Sequence, residues 1–192
     1  GTVLAGGHVH ELELKPENNF VADLDTIPED ILLRARMMIL SHPNNPTGSV
    51  VDKAYLEKAV ALCKDYNILL INDLAYADIW FDENKPHSIL EIRGASDIAI
   101  EFHTFSKVYN MAGMRLGYAV GNTDIISTLY KLKTNIDYGV CMGIQEAGIA
   151  AIDLGDEYRE EVRLEYQNRR DFVYQALCDM GIKVTKPGGA MY

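Results

Sequence analysis

Short apolar runs recur along the chain, and polar loops follow them directly. Their length and composition predict buried β-strands over Met37–Leu40, Ile68–Ile71, Asp97–Phe102 and Leu116–Val120. A segment of helical length lies between the first two runs. Strands separated by helices favour a largely parallel sheet, with room for one antiparallel member. In an open sheet of this kind, ligands bind at the edge formed by the carboxyl ends of the strands.

Apolar residues recur at helical spacing between and after these runs. Asp52–Tyr66 carries the clearest apolar stripe and is predicted to be a helix. Further helices are predicted over Thr123–Lys133, Met142–Leu154 and Asp156–Met180. Ile182–Val184 then predicts the first strand of a further element, so the long last helix leads out of the first domain.

Composition is typical of a soluble globular domain, with 48% hydrophobic and 24% charged residues among 192. The formal net charge is −10, from 18 basic and 28 acidic residues. Nucleic acid and anionic lipid are therefore not expected partners, since an acidic surface repels both. No apolar run reaches the length of a membrane span, so no membrane contact is expected.

The positions of the cysteines and histidines indicate the cellular compartment and the kinds of site to expect. The 3 cysteines are scattered, which favours a reducing, cytoplasmic compartment over a disulfide framework. The 5 histidines follow no metal-ligand spacing, so no metal site is predicted. The chain opens at Gly1 without an initiator methionine and ends in a stretch typical of the start of a strand. We therefore expect a fragment of a longer protein.

The stretch His103–Tyr118 contains the most informative chemistry. Lys107 follows the hydroxyl residues Thr104 and Ser106, and Arg115 comes later in a turn punctuated by glycines. A lysine kept partly out of water attacks a carbonyl through its neutral amine. Hydroxyls and an arginine suit a phosphate dianion. A lysine nucleophile beside a phosphate site is what a pyridoxal-phosphate enzyme needs.

Two more polar clusters follow predicted strands. Asp73 and Tyr76 come after the second strand. A carboxylate such as Asp73 can pair with a protonated ring nitrogen, and the Tyr76 hydroxyl can form a hydrogen bond with a phenolic oxygen on the same ring. Asn45 lies in the rigid loop Pro43–Gly48 after the first strand and offers an amide donor. Taken singly, each residue is more typical of turn capping, packing or a solvated surface. Their order at successive strand ends is what favours one shared cofactor site.

These motifs resemble the class I/II aminotransferase family of fold-type-I pyridoxal-phosphate enzymes. Thr104–Tyr118 is the most specific part of the resemblance, and Asn44–Gly48 and Asp73–Tyr76 follow the family's order. The surrounding residues are most similar to LL-diaminopimelate, aspartate and alanine aminotransferases. The family implies a three-layer α/β/α fold with a mostly parallel central sheet. By resemblance, residues 1–180 form a partial cofactor-binding large domain, and residues 181–192 begin a truncated small domain.

The resemblance also implies a role for each candidate residue. Lys107 forms a Schiff base with pyridoxal 5'-phosphate and then acts as general base, while Asp73 pairs with the pyridine nitrogen. Asn45 and Tyr76 bind the phenolic oxygen of the cofactor. The phosphate is bound by Thr104, Ser106 and Arg115. The family normally has serine where this chain has Thr104, so a hydroxyl is retained. A cis bond before Pro46 is implied as well.

The implied activity is transfer of an amino group between an amino acid and a 2-oxo acid, in a homodimer. A β-lyase on the same scaffold shares these residues and stays open as an alternative. So does a non-catalytic, cofactor-sensing regulator, although such proteins add a basic DNA-binding helix pair that this acidic chain lacks. An inactive remnant that folds but binds cofactor weakly is the third alternative.

Overall fold

A four-stranded sheet organises the computed structural model, which describes all 192 residues. The strands are β1 (Met37–Ser41), β2 (Leu69–Asp73), β3 (Ala99–Thr104) and β4 (Gly117–Gly121), and they neighbour one another in that order. β1 and β2 are parallel, as are β2 and β3, whereas β4 runs antiparallel to β3. The predicted mixed α/β class with a mostly parallel sheet is confirmed.

Five α-helices surround this sheet. They are α1 (Glu29–Arg34), α2 (Lys53–Asp65), α3 (Thr123–Ile136), α4 (Met142–Ile152) and α5 (Gly155–Asp179). Short 3-10 helices occupy Pro16–Asn18, Leu24–Thr26, Ile89–Glu91, Ala95–Asp97 and Ala112–Met114. All four predicted helices are present, with boundaries that differ by up to three residues from the predicted ones.

The main core lies between α2 and one face of the sheet. Asp52 caps α2 by accepting a hydrogen bond from the Tyr55 amide at 2.8 Å, so the helix begins where the apolar stripe begins. A cluster of 16 buried apolar residues joins α2, β1 and β2 on this face. The opposite face of β1 is open, because Met37 and Ile39 are 48% and 56% exposed. Alternation along β1 explains the difference, since successive side chains point to opposite faces.

Strand register brings the predicted polar clusters to one edge of the sheet. Ser41 of β1 lies opposite Asp73 of β2, and Asp73 lies opposite Phe102 of β3. Thr104, at the end of β3, lies opposite Gly117 of the antiparallel β4. The loops that carry the candidate residues therefore leave the sheet side by side, at what we call the C-terminal edge.

The segment after α5 returns to this edge of the sheet. Ile182–Val184 forms no strand, so that prediction is wrong. The Gly188 amide donates to the Gly48 carbonyl at 3.0 Å, and the Ala190 amide donates to the Ile79 carbonyl at 2.8 Å. Gly48 adopts a φ of +67°, and a Cβ there would lie 2.5 Å from Cβ of Pro187. Only glycine permits this close approach.

Two buried arginines of α5 fasten this returning segment and the loop after β2. Arg170 donates to the Pro187 carbonyl at 2.7 Å and to both carboxylate oxygens of Asp82 at 3.0 and 3.1 Å. Arg163 stacks on the ring of Trp80 at 4.2 Å from its centroid. The loop after β2 and the end of the chain are thus held against one helix. No helix in the structure combines the length and the apolar character that crossing a membrane requires.

Candidate active site

Lys107 lies in the turn that follows β3, and buried neighbours fix that turn. Phe105 and Val108 are 5% and 3% exposed, and the Phe105 amide donates to the Leu116 carbonyl at 3.1 Å. The Lys107 side chain is partly buried and places Nζ 5.4 Å from the centroid of the Tyr76 ring. No carboxylate lies within ion-pair distance of this amine. An amine flanked by an aromatic ring and unengaged by an anion is available to a ligand.

Two hydroxyls line the approach to this turn. The side-chain oxygens of Thr104 and Ser106 are 2.9 Å apart, and the Ser106 amide donates to Thr104 Oγ1 at 3.1 Å. Because β3 ends at Thr104, both hydroxyls lie at the C-terminal edge. They form a compact polar turn of the kind that receives phosphate oxygens.

Arg115 ends the short 3-10 helix Ala112–Met114 in the left-handed conformation, with a φ of 55°. Its Nη1 donates to the Ala112 carbonyl at 2.9 Å, and no carboxylate pairs with it. The guanidinium is exposed, so its remaining donors are free for an anion.

Asp73 is the last residue of β2. Its Oδ1 accepts a hydrogen bond from the Ala75 amide at 3.2 Å, and no basic side chain pairs with it. The neighbouring Leu74 amide donates to the Phe102 carbonyl at 2.9 Å, which anchors the end of β2 to β3. Asp73 is therefore a partly buried carboxylate with spare acceptor capacity at the C-terminal edge.

Tyr76 is 5% exposed and donates its hydroxyl to that of Tyr192 at 3.3 Å. Burial is the main cause that raises the pKa of Tyr76, and the Tyr192 hydrogen bond and the Asp73 charge add to it. The Asn45 side chain lowers this pKa and so acts in the opposite direction. Tyr76 is thus a neutral hydrogen-bond donor at physiological pH.

Asn45 lies on the exposed loop after β1. The Asn45–Pro46 bond is cis, as the family resemblance implied. The His42–Pro43 bond is cis as well, which the sequence did not predict. Both bonds lie in the loop against which the end of the chain packs, because Gly189 approaches Pro43 closely.

A cavity of about 130 Å³ adjoins the lysine turn. Of the predicted residues, Lys107 and Thr104 line it. The other predicted residues do not: Asn45, Asp73, Tyr76, Ser106 and Arg115. Its other polar lining residues are Asp78, His103, Tyr109, Tyr118 and Arg159. The cavity therefore contains only part of the predicted site.

The residues at the C-terminal edge fit pyridoxal phosphate in their chemistry. The cofactor needs an amine for its aldehyde, an anion for its ring nitrogen and several donors for its phosphate. Lys107, Asp73 and Arg115 are each without a counter-ion in this structure and have the chemistry of those groups in that order. The phenol of Tyr76 is a donor matched to the cofactor's phenolic oxygen.

Sequence reasoning missed one buried polar centre next to this edge. Glu101 of β3 is 1% exposed and lies opposite Asn72 of β2. It accepts hydrogen bonds from Asn72, Ser88, the Ile89 amide and His103 at 3.0, 3.1, 2.8 and 2.7 Å. The available signal was an acidic residue inside the apolar run of a predicted buried strand, which is rarely tolerated without partners.

Comparison with known proteins points to aminotransferases. The family model for aminotransferase class I and II matches residues 1–192. LL-diaminopimelate aminotransferase 2 of Nostoc sp. is 45% identical over 191 residues, covering 100% of this chain and 49% of that protein. The LL-diaminopimelate aminotransferase of Aquifex aeolicus is 41% identical over 192 residues, covering 100% and 50%. An aminotransferase structure from Staphylococcus aureus matches with a TM-score of 0.93 at 33% identity, covering 98% and 50%.

The chain therefore belongs to the aminotransferase class I and II family. It spans about half the length of the curated relatives it matches. The fold class inferred from the strand and helix pattern is that of these structural neighbours. The family resemblance drawn from Thr104–Tyr118 is confirmed as well.

Proposed function

We propose that the protein containing this chain is a pyridoxal-phosphate-dependent aminotransferase that moves an amino group between an amino acid and a 2-oxo acid. One observation carries the proposal: the Lys107 amine lies 5.4 Å from the Tyr76 ring centroid and has no carboxylate partner. Lys107 is the covalent attachment point of the cofactor. We assign residues 1–180 to the cofactor-binding domain and residues 181–192 to the start of the next domain.

The cofactor's phosphate and ring are held by different loops of the C-terminal edge. Thr104, Ser106 and Arg115 bind the phosphate, because two hydroxyls and a guanidinium are strong donors to a dianion. Asp73, whose carboxylate has spare acceptor capacity, would pair with the ring nitrogen and keep it protonated. Asn45 and Tyr76 donate to the phenolic oxygen.

The chemistry divides between cofactor and protein. Bound pyridoxal phosphate supplies an electrophilic aldehyde and a ring that withdraws electrons from the substrate's Cα. Lys107 takes the Cα proton at Nζ and later returns it, as a general base and then a general acid. Asp73 stabilises positive charge on the ring, so the electron withdrawal persists while Lys107 moves the proton.

The relatives guide the choice of substrate and reaction. Those most similar in sequence are named LL-diaminopimelate aminotransferases, so LL-diaminopimelate is the first amino donor to test. Elimination on the same scaffold is less favoured, because the matched relatives are named for amino-group transfer. We further propose that the protein is a homodimer. We also propose that it is located in the cytoplasm, because free cysteines suit a reducing compartment.

The test is an assay of the intact protein with pyridoxal phosphate, LL-diaminopimelate and 2-oxoglutarate. Glutamate formation without release of pyruvate or ammonia supports amino-group transfer. Release of pyruvate and ammonia from a sulfur amino acid, without glutamate, would replace the proposal with a β-lyase. Failure to retain cofactor at all would favour an inactive remnant.

The Asp73→Asn variant tests the assignment of the ring partner. It keeps the size of the side chain and removes its charge, so the rate of proton abstraction should fall by about 100-fold or more while cofactor binding survives in part. Asp65→Asn, at the exposed end of α2, is the matched control and should leave the rate unchanged. If the Asp73→Asn variant abstracts the proton as fast as the parent protein, Asp73 does not have this role.

A further inference from the structure

Glu101 is the most enclosed acidic side chain near the C-terminal edge. It lies within β3 at 1% exposure, and both of its carboxylate oxygens are engaged. Oε2 accepts from the Asn72 amide group at 3.0 Å and from the Ile89 backbone amide at 2.8 Å. Oε1 accepts from the Ser88 hydroxyl at 3.1 Å and from His103 Nε2 at 2.7 Å.

These contacts require an ionised carboxylate. Burial raises the pKa of Glu101, but the hydrogen bonds from His103, the Ile89 amide and Asn72 outweigh it and hold the pKa below its ordinary value. A carboxylate only accepts, so His103 Nε2 carries the hydrogen of that bond. Removing the charge therefore disturbs several donors at once, each of which is then left without its acceptor.

The partners of Glu101 lie directly beside the groups that the reaction needs. Asn72 precedes Asp73 on β2 and lies opposite Glu101 in the strand register. His103 precedes Thr104, where β3 ends and the turn to Lys107 begins. Because consecutive strand residues share a backbone, holding the Asn72 and His103 side chains also holds the neighbouring Asp73 and Thr104.

The link through His103 is itself rigid. Its ring stacks on Tyr118 of β4 with centroids 4.8 Å apart and planes 9° apart. His103 also lines the cavity that Lys107 borders. Glu101 of β3 is thus linked directly to β2 and, through His103, to β4. These links lie next to the strand ends that carry the candidate site. The contacts to Ser88 and Ile89 fix the carboxylate from the side of the core.

We propose that Glu101 is a positioning residue that sets the distance between the Asp73 carboxylate and the Lys107 amine by clamping Asn72 and His103. This inference rests on the proposed function, because that distance matters only where one ligand meets both groups. Glu101 itself does not touch the cofactor. It acts through the two strand ends, as residues that support a catalytic group do.

The test compares Glu101→Gln, Asn72→Ala and the control Glu57→Gln in the intact protein. Glutamine keeps the size of the side chain but replaces one acceptor oxygen by a donor group. Asn72→Ala cuts only the link to β2 and leaves the carboxylate with its other partners, so it decides the question if Glu101→Gln does not fold. Glu57 is exposed on α2, away from the site.

Two measurements separate positioning from general stability. The first is the pH midpoint of the visible absorbance of bound cofactor, which we expect to shift by about 0.5 unit or more in both test variants. The second needs no cofactor, because it is amide hydrogen exchange. Exchange should accelerate at least about tenfold at Leu74, whose amide bonds Phe102, in both test variants, and at Phe105, whose amide bonds Leu116, in Glu101→Gln. Exchange within α2 should not change in any variant.

Each outcome is decisive. An unchanged midpoint and unchanged exchange at both strand ends, with only a lower melting temperature, would show that Glu101 serves stability alone and overturn the proposal. If the parent protein shows no visible band that depends on Lys107, the proposed function fails. The exchange measurement then still tells whether Glu101 couples the two strand ends.

Discussion

Lys107 holds its side-chain nitrogen 5.4 Å from the centroid of the Tyr76 ring. The two residues come from loops after different strands, β3 and β2, so the contact reports how the C-terminal edge is assembled. A cation over an aromatic face is stabilised by ~0.5–2 kcal/mol, depending on its exposure. The ring therefore holds the lysine in place before a ligand arrives, without the anion that would compete for its amine.

The Tyr76 hydroxyl is predicted to contribute to cofactor binding independently of the ring. Tyr76→Phe keeps the ring under Lys107 and removes one hydrogen bond, worth ~0.5–1.5 kcal/mol, so the Kd for pyridoxal phosphate should rise about 2- to 10-fold. Burial raises the pKa of this phenol, so its neutral, donating form persists and the effect should be constant between about pH 6 and pH 9. Equilibrium dialysis measures the Kd and its dependence on pH.

Tyr55→Phe is the matched control for this substitution. The Tyr55 hydroxyl is buried in the main core and has no hydrogen-bond partner. Its removal should leave the Kd for the cofactor unchanged. A Tyr76→Phe variant that binds cofactor as tightly as Tyr55→Phe would show that the Tyr76 hydroxyl has no role in the site.

Arg115 is predicted to recognise the phosphate group and nothing else on the cofactor. Hydrogen bonds to charged groups contribute ~1.5–3 kcal/mol, so Arg115→Gln should raise the Kd for pyridoxal phosphate by about 10-fold or more. Arg115→Lys retains the charge but loses the planar fork and should be intermediate. Pyridoxal, which lacks the phosphate, should bind the parent and both variants equally. A matching loss of pyridoxal affinity would contradict the assignment.

Replacing Arg170 and its neighbour Arg169 by alanine, one at a time, compares a buried with an exposed arginine of α5 in their contribution to stability. Arg170 is 8% exposed and bonds Asp82 and Pro187, so Arg170→Ala should lower the free energy of unfolding by ~2–4 kcal/mol. Arg169 pairs with Glu165 at the surface, where such a pair contributes ~0–1 kcal/mol. Chemical denaturation of both variants checks the contrast. Equal losses would show that the buried contacts do not fasten the end of the chain.

Glu101 is predicted to make stability depend on acid pH. Its folded-state pKa lies below the ordinary value of 4.5, so its contribution is complete above about pH 4.5 and is lost as pH falls through the folded-state pKa. Glu101→Gln lacks this dependence. The difference in unfolding free energy between parent and variant should therefore shrink on acidification, whereas Glu57→Gln should match the parent throughout. A difference that stays constant with pH would contradict the shifted pKa.

Local patterns in the sequence were enough to predict most of the framework. β2 is predicted over Ile68–Ile71 and observed over Leu69–Asp73, because an apolar run of strand length has few other uses in a buried sheet. The helix predicted from Asp52 begins there because its carboxylate caps the first turn. The order of Asn45, Asp73 and Lys107 along the chain predicted a shared edge, since parallel strands end together.

What the sequence did not predict depends on contacts between distant residues. Ile182–Val184 has the composition of a strand but pairs with none of the four strands of the sheet, and an unpaired segment forms no strand. The partners of Glu101 come from three separate segments, so their convergence follows from strand register and not from spacing. The contact between Tyr76 and Tyr192 joins residues with no local relation in the sequence.

Covalent trapping at Lys107 tests the central claim most directly. The intact protein is incubated with pyridoxal phosphate, reduced with borohydride, digested and analysed by mass spectrometry. We predict that the reduced cofactor is found on Lys107 and that Lys107→Ala loses both the label and the visible absorbance. Label on another lysine, or an unchanged borohydride-reducible band in the Lys107→Ala variant, would contradict the account.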